Sequence, residues 1–221
     1  MDQQKEKKRL VAQAALSYLK EGMSLGVGTG STVDFFIDAL PEYSHYLAAI
    51  VSSSEASTKK LKNLKIEVTD LNRVSDVDVY VDGADEATKH LNLVKGGGGA
   101  LTREKILAGA SRRFICIVDD TKIVDVLGKF PIPVEVIPMA QSYVARQIVK
   151  AGGQPILREK FVSDNGNQIL DIHNLTIIDP PQLEKQINNI AGVVTNGIFS
   201  INPADVILIG LSNGVNTLEN Q

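Results

Sequence analysis

One cysteine among 221 residues, Cys116, leaves no partner for an internal disulfide, and its place in the apolar run Phe114–Val118 makes it a packing residue of a buried strand. No apolar run is long enough to cross a bilayer, and the charged N-terminus has no continuous apolar stretch behind it. Neither a membrane partner nor a signal peptide is read, and a cytoplasmic location is the expectation. Basic charge is not in excess. The 23 Lys and Arg stand against 26 Asp and Glu, a net charge of −3, which disfavours nucleic acid because phosphate backbones are held by concentrated Lys and Arg. The cluster Lys5, Lys7, Lys8 and Arg9 is a small local exception. The three histidines, His45, His90 and His173, are scattered and give no metal-ligand spacing. Internal repeats and low-complexity segments are missing as well.

What remains, 43% hydrophobic and 22% charged residues, is the composition of an ordinary globular chain long enough to bury a core. The periodicity predicts an amphipathic helix over about 4–20, then a short buried strand Ser24–Val27 that runs through Gly28-Thr29-Gly30-Ser31-Thr32 into a helix over Val33–Leu40. Alternation continues with strand Ala48–Val51, helix Glu55–Leu64, strand Val77–Val81, helix Leu101–Ala110 and strand Phe114–Val118. This is the order of a parallel sheet with crossover helices, an α/β, Rossmann-like open sheet.

Pro131 and Pro133 change the texture and are expected to interrupt any regular element. Beyond them the pattern reads strand Val134–Ile137, helix Met139–Ala151, strands near Ile156–Arg158 and Ile169–Leu175, helix Gln182–Ile190 and strand Val193–Phe199. That β-α-β-β-α-β order is the ferredoxin-like split motif, with a hairpin signal at Asp164-Asn165-Gly166-Asn167. Ala204–Ile209 reads as a strand returning to the first sheet. The expected domains are therefore 1–130 with 204–221, and an inserted small α+β domain over 131–203.

Three loops carry the candidate chemistry. Gly26–Thr32 follows a strand and opens a helix, so its amides and the hydroxyls of Thr29, Ser31 and Thr32 can hold a phosphate, or merely cap the helix. It lacks the third glycine of a dinucleotide fingerprint and the Gly-Lys of a P-loop, so NAD and ATP are disfavoured and no cofactor is expected. Asp82-Gly83-Ala84-Asp85-Glu86 crowds three carboxylates at the end of a strand. It reads as a ligand-binding turn at the carboxyl edge of a sheet, with a plain structural turn as the bland alternative and a hard-cation site as the second reading. Lys95-Gly96-Gly97-Gly98-Gly99 sets unobstructed amides beside an ammonium, suited to an oxyanion, with a flexible linker as the plain alternative. Glu104 in the first turn of the following helix is a candidate base, although a helix-start glutamate is common for dipole reasons alone. Lys122 after Asp119-Asp120-Thr121 either binds substrate or pairs with those aspartates. Phosphate cradle, carboxylate base and oxyanion site are the parts that proton abstraction beside a sugar carbonyl needs, expected together at the carboxyl edge of one sheet.

In this order, G-V-G-T-G-S-T (26–32), S-S-S-E-A-S (52–57), Y-V-D-G-A-D-E (80–86), K-G-G-G-G-A-L-T-R-E-K (95–105) and G-K-F-P-I-P-V-E-V-I-P (128–138) resemble ribose-5-phosphate isomerase, type A. The resemblance extends through Val162–Asn167 and Pro180 to Ala204–Gly210. It implies a cofactor-independent aldose–ketose isomerase of the non-oxidative pentose phosphate pathway, a sugar phosphate as partner, and a homo-oligomer, dimer or tetramer. It further implies Glu104 as the general base shuttling a proton between C2 and C1 through an enediolate. Asp82 and Asp85, with Gly83 and Ala84, would contact the sugar hydroxyls. Lys95 with Gly96, Gly97 and Gly98 would bind and polarise substrate, Thr29, Gly30, Ser31 and Thr32 would serve the phosphate site, and Lys122 would be a substrate-binding lysine. Lys8 matches a family lysine near the phosphate less securely. Two departures stand out: Gly99 where relatives often carry Ala, and Asp120-Thr121 where a small residue and Ser are familiar. A sugar-phosphate sensor domain and a coenzyme A transferase with Glu104 as nucleophile are the alternatives.

Overall fold

A computed structural model describes residues 2–175 and 177–219. Among the described residues, six α-helices and thirteen strands follow in chain order. The first part runs α1 (Asp2–Ala15), β1 (Ser24–Val27), α2 (Val33–Ala39), β2 (Ala49–Ser52), α3 (Glu55–Asn63), β3 (Val79–Asp82), β4 (Glu86–Ala87) and β5 (Leu93–Val94). Next come α4 (Leu101–Ala110), β6 (Phe114–Asp119), β7 (Ile132–Val136), α5 (Gln141–Lys150), β8 (Gln154–Leu157) and β9 (Gln168–His173). The chain continues through α6 (Pro180–Asn188), β10 (Val193–Asn196), β11 (Ile198–Phe199), β12 (Val206–Leu211) and β13 (Gly214–Glu219).

Contacts divide the chain into two compact units, one of Met1–Ala84, Arg103–Ile123 and Ala204–Gln221, the other of Asp85–Thr102 and Val124–Pro203. These limits differ from the boundary read at Pro131. Three contacts draw the extra segments into the second unit. β4 and β5 pair with β11 in a small antiparallel sheet, Val124 N–H bonds Ala87 O at 2.9 Å, and the buried Glu86 carboxylate accepts from Gly128 and Phe130 N–H at 2.7 and 2.6 Å.

The first unit is built on a six-stranded sheet, β13-β12-β6-β3-β1-β2, parallel except for β13, which pairs antiparallel with β12. Its five parallel strands, taken in chain order, lie 2-1-3-4-5, so the winding reverses between β1 and β3. Both faces are covered, and the strands are accordingly near-continuous apolar runs. Leu25, Val27, Val79, Val81, Ile115, Ile117, Val206 and Leu208 form one core with Val11, Ala15, Phe36, Ile37 and Leu61 from the helices. By the two-residue alternation Tyr80 and Cys116 point to the other face, where the Tyr80 and Phe114 rings lie 4.9 Å apart. Cys116 is buried, in keeping with a packing role.

The second unit contains a four-stranded antiparallel sheet, β10-β7-β9-β8, with α5 and α6 in the β-α-β-β-α-β order of the split motif. Two expectations fail here. Pro133 does not interrupt the strand but lies inside β7. It is tolerated because pairing with β10 starts only at Val134, so no ladder N–H is demanded of it there, while its carbonyl accepts from Gly197 N–H at 2.7 Å. The single strand read over Val193–Phe199 is broken at Gly197, and its halves join different sheets, β10 with β7 and β11 with β5. A Cβ at Gly197 would stand 2.3 Å from Lys95 O, so only glycine lets the two backbones meet. The hairpin asparagines have a further use. Glu135, fully buried in β7, accepts from Ser163 Oγ, Asn165 Nδ2 and Asn167 Nδ2, and also from Thr102 Oγ1.

Candidate active site

The glycine loop sits at the switch point of the first sheet, between the carboxyl ends of β1 and β3, where open α/β sheets bind ligands. Its shape is set by contact with Asp82. Gly28 N–H bonds Val81 O at 2.9 Å, and Ser57 Oγ donates to Gly28 O at 2.7 Å. A Cβ at Gly28 would lie 2.0 Å from Asp82 Oδ1, so the first glycine is required by the carboxylate beside it. Gly30 is needed for a different reason, its φ of +108°. Thr32 precedes α2 without a side-chain capping bond, so the cap reading of that hydroxyl does not hold.

Asp82 is fully buried and accepts three hydrogen bonds from nearby groups. Oδ1 accepts from Thr29 N–H at 3.0 Å and Gly83 N–H at 2.7 Å, and Oδ2 accepts from the Tyr80 hydroxyl. Tyr80 is the residue that sequence reasoning missed. The signal was available: residues two apart on a strand share a face, so Tyr80 had to stand beside Asp82. Burial raises the Tyr80 pKa well above its ordinary value, and the nearby charges of Asp82 and then Glu104 push it the same way, as does the bond to Asp82. Glu104, 3% exposed in the first turn of α4, therefore lies within electrostatic reach of Tyr80.

That phenol gives a testable pH dependence. The folded chain holds the Tyr80 proton more tightly than the unfolded chain, so its contribution is complete below the unfolded pKa of about 10 and is lost as pH rises above it. Tyr80→Phe is expected to remove up to about 1.4 kcal/mol per pH unit from the alkaline fall in stability. Urea unfolding of both proteins between about pH 9 and about pH 11 checks this; parallel curves would contradict it.

The basic N-terminal cluster also reaches the site. Lys8 Nζ donates to Ser31 Oγ at 2.9 Å, which brings an ammonium to the glycine loop. Lys7 pairs with Asp120 at 2.6 Å, and Asp119 caps Thr121 N–H at 3.0 Å. Those aspartates are thus engaged elsewhere, and Lys122, in the single helical turn after β6, makes no ion pair among the described residues. α1 approaches β12 closely enough for this because Gly210 has no side chain; a Cβ there would meet Lys7 O at 2.4 Å.

Gly28–Thr32, Asp82 and Lys122 follow the carboxyl ends of β1, β3 and β6 in the first unit, and Asp85 and Lys95–Gly99 belong to the second. Asp85 Oδ2 accepts from Gly97 N–H at 2.8 Å. Asp82, Asp85 and Glu86 each accept backbone N–H groups, and among the described residues no three His, Cys, Asp or Glu are grouped to hold a metal. Lys95 is buried, with Nζ 5.7 Å from the Phe199 ring centre. The run after it is a fixed turn and not a linker: Gly99 N–H bonds Gly96 O at 2.9 Å, with φ at +101° for Gly96 and +84° for Gly99. At Gly99 a Cβ would fall 2.1 Å from Phe161 Cζ, so the space beside this glycine is filled by a phenyl ring.

A family model of ribose 5-phosphate isomerase A (phosphoriboisomerase A) matches residues 49–214. The chain belongs to the ribose 5-phosphate isomerase A family. It is similar to the ribose 5-phosphate isomerase A of Neisseria gonorrhoeae, at 45% identity over 98% of this chain and 97% of that one, with a TM-score of 0.95. The Methanocaldococcus jannaschii enzyme matches at 40% identity, 97% and 98% coverage and a TM-score of 0.92. A D-ribose-5-phosphate isomerase in complex with phospho-erythronic acid matches at 37% identity, 97% and 98% coverage and a TM-score of 0.93. The α/β fold with a parallel central sheet is therefore the family's fold, and the chain is an isomerase of this family. Among the described residues no helix is long and apolar enough to cross a membrane.

Proposed function

We infer that the chain interconverts D-ribose 5-phosphate and D-ribulose 5-phosphate through an enediolate, with Glu104 moving the proton between C2 and C1. The observation that carries this reading is a buried carboxylate in the first helical turn after the Lys95–Gly99 run, in a chain of this family. The reaction is an internal redox exchange in which one proton passes from C2 to C1 and another from O2 to O1 while the carbonyl moves from C1 to C2, so no hydride carrier is required. What it does require is a base and a means of stabilising the oxygen that becomes anionic.

Lys95 and the glycine amides answer that second need. Ser31, with the Lys8 ammonium on its hydroxyl, and the flanking Thr29, Gly30 and Thr32 answer for the phosphate, and Lys122 is a second cation for it. The two aspartates divide their work. Asp82, bound by Thr29, Gly83 and Tyr80, braces the glycine loop, whereas Asp85 commits one oxygen to Gly97 and presents the other to a sugar hydroxyl. The relative that holds phospho-erythronic acid supports the substrate class, because a phosphorylated sugar acid has the terminal phosphate and an anionic carbon end like that of the enediolate.

Ribose 5-phosphate incubated with metal-stripped protein is expected to yield ketose at the same rate as with untreated protein. A rate restored only by added metal would overturn the metal-free mechanism. Binding without turnover would favour a sensor, and a thioester on Glu104 with acyl-coenzyme A would favour the transferase.

A further inference from the structure

We propose that Arg158 is a positioning residue for the reaction, a clamp that orients the amides of the glycine run toward the developing oxyanion; this rests on the reading of Lys95–Gly99 as the oxyanion site. Arg158 follows β8, and its guanidinium is anchored by a two-point pair to Asp171 on the neighbouring strand β9, Nη2 to Oδ1 at 2.6 Å and Nε to Oδ2 at 2.9 Å. Both side chains are 18% exposed, which sets this pair apart from the more open ion pairs at the surface. The guanidinium plane is covered by the Phe161 ring at 5.2 Å, the same ring that closes over Gly99. Held on these sides, the fork has donors left, and they go to two consecutive carbonyls. Nη1 reaches Gly96 O at 3.3 Å and Gly97 O at 3.2 Å, and Nη2 reaches Gly96 O at 3.4 Å.

The consequence follows from peptide geometry. The peptide bonds here are trans, so in each planar unit the N–H points opposite to the C=O. Two carbonyls turned toward Arg158 therefore turn two N–H groups away from it, those of Gly97 and Gly98. The first is bonded to Asp85 Oδ2 at 2.8 Å, which marks the side on which polar groups meet. The second makes no hydrogen bond among the described residues, and nothing lies within 4 Å of the position a Cβ would take at Gly98. A half-buried ion pair thus fixes one remaining donor beside a carboxylate, in a run of four glycines that would otherwise sample many conformations. Lysine could keep the charge opposite Asp171 but not the planar fork that reaches both carbonyls.

The test uses the full chain with ¹⁵N-glycine labelling, the Gly98 amide resonance being assigned by its loss in Gly98→Ala. In the unaltered protein, phospho-erythronic acid is expected to shift that resonance. Arg158→Lys is expected to lower kcat about thirtyfold with KM changed less than about threefold, and to weaken phospho-erythronic acid binding in proportion to kcat/KM. Its melting temperature should stay close to that of the parent, and Asp171→Asn should act in the same direction to a smaller extent. A Gly98 shift in the parent combined with undiminished kcat in Arg158→Lys overturns the clamp alone. Loss of activity that follows loss of folding across both variants, with KM and kcat failing together, reduces Arg158 to a structural residue and also overturns it. A Gly98 resonance that ignores the ligand in the unaltered protein overturns the oxyanion-site reading beneath it.

Discussion

Glu104→Gln is expected to lower kcat by about a thousandfold while KM for ribose 5-phosphate changes little, because a positioned general base contributes 10²–10⁴ to rate and rather less to substrate binding. Glutamine keeps the volume and hydrogen-bonding reach of a side chain that is only 3% exposed, and it removes the proton acceptor. The fold should tolerate the change. Glu104 lies in the first turn of α4, where loss of a carboxylate costs about 0.3–1 kcal/mol of dipole interaction. A second readout tells whether the carboxylate is ionised in the parent. The Glu104 charge helps to hold the Tyr80 proton, so the substitution should bring the Tyr80 pKa down toward its ordinary value in an ultraviolet titration. Steady-state rates at saturating substrate decide the main point, and activity within a few-fold of the parent would remove Glu104 from the mechanism.

How much of this was legible in the sequence depends on the range of the interaction that carries it. The strand, glycine loop and helix at Ser24–Ala39, and α4 at Leu101–Ala110, follow from local periodicity and lie where it puts them. β4 and β5 have two residues each, too short for any period, and form only because β11 pairs with β5 across the chain. β13 likewise carried no apolar alternation strong enough to read; it exists as the antiparallel partner of β12. Pro133 misled because the rule against proline in strands is a rule about ladder N–H groups, and none is required at that position.

The candidate site divides the same way. Residue types with intrinsic chemistry, Glu104, Asp82, Asp85, Lys95 and Lys122, announced themselves. Residues that act through others did not: Tyr80 reads as a core aromatic, and Arg158 as an ordinary surface cation on a strand end. The link between Lys8 and Ser31 spans 23 residues and needs the docking of α1 on β12 to exist. The need for glycine at position 99 comes from Phe161 of a remote segment, whose ring occupies the space a Cβ would take.

The second large effect is expected at Gly28. Gly28→Ala should reduce kcat/KM by at least about a hundredfold in a chain that still folds, because the methyl has no place to go and the atoms it meets belong to the Asp82 carboxylate, at 2.0 Å for Oδ1 and 2.1 Å for Cγ. Neither side can yield easily. The Gly28 backbone is tied at its N–H to Val81 O and at its carbonyl to Ser57 Oγ, and Asp82 is fully buried with Tyr80 behind it. Relief must come from rotating Asp82 away, which breaks its bonds to Thr29 and Gly83 N–H, 53 residues and one residue distant in sequence, and so loosens the phosphate loop and the acidic turn together. Overpacking of this kind costs about 1–3 kcal/mol, a few degrees in melting temperature for a chain of this length. The kinetic loss should therefore far exceed what the stability loss explains. Stability sets the comparison, because Ser57→Ala breaks a hydrogen bond to the same loop without displacing Asp82; it should cost comparable stability and spare most of the activity. If both variants lose activity alike, the loop needs only to be rigid. If Gly28→Ala alone is crippled, the position of the Asp82 carboxylate is what the first glycine preserves.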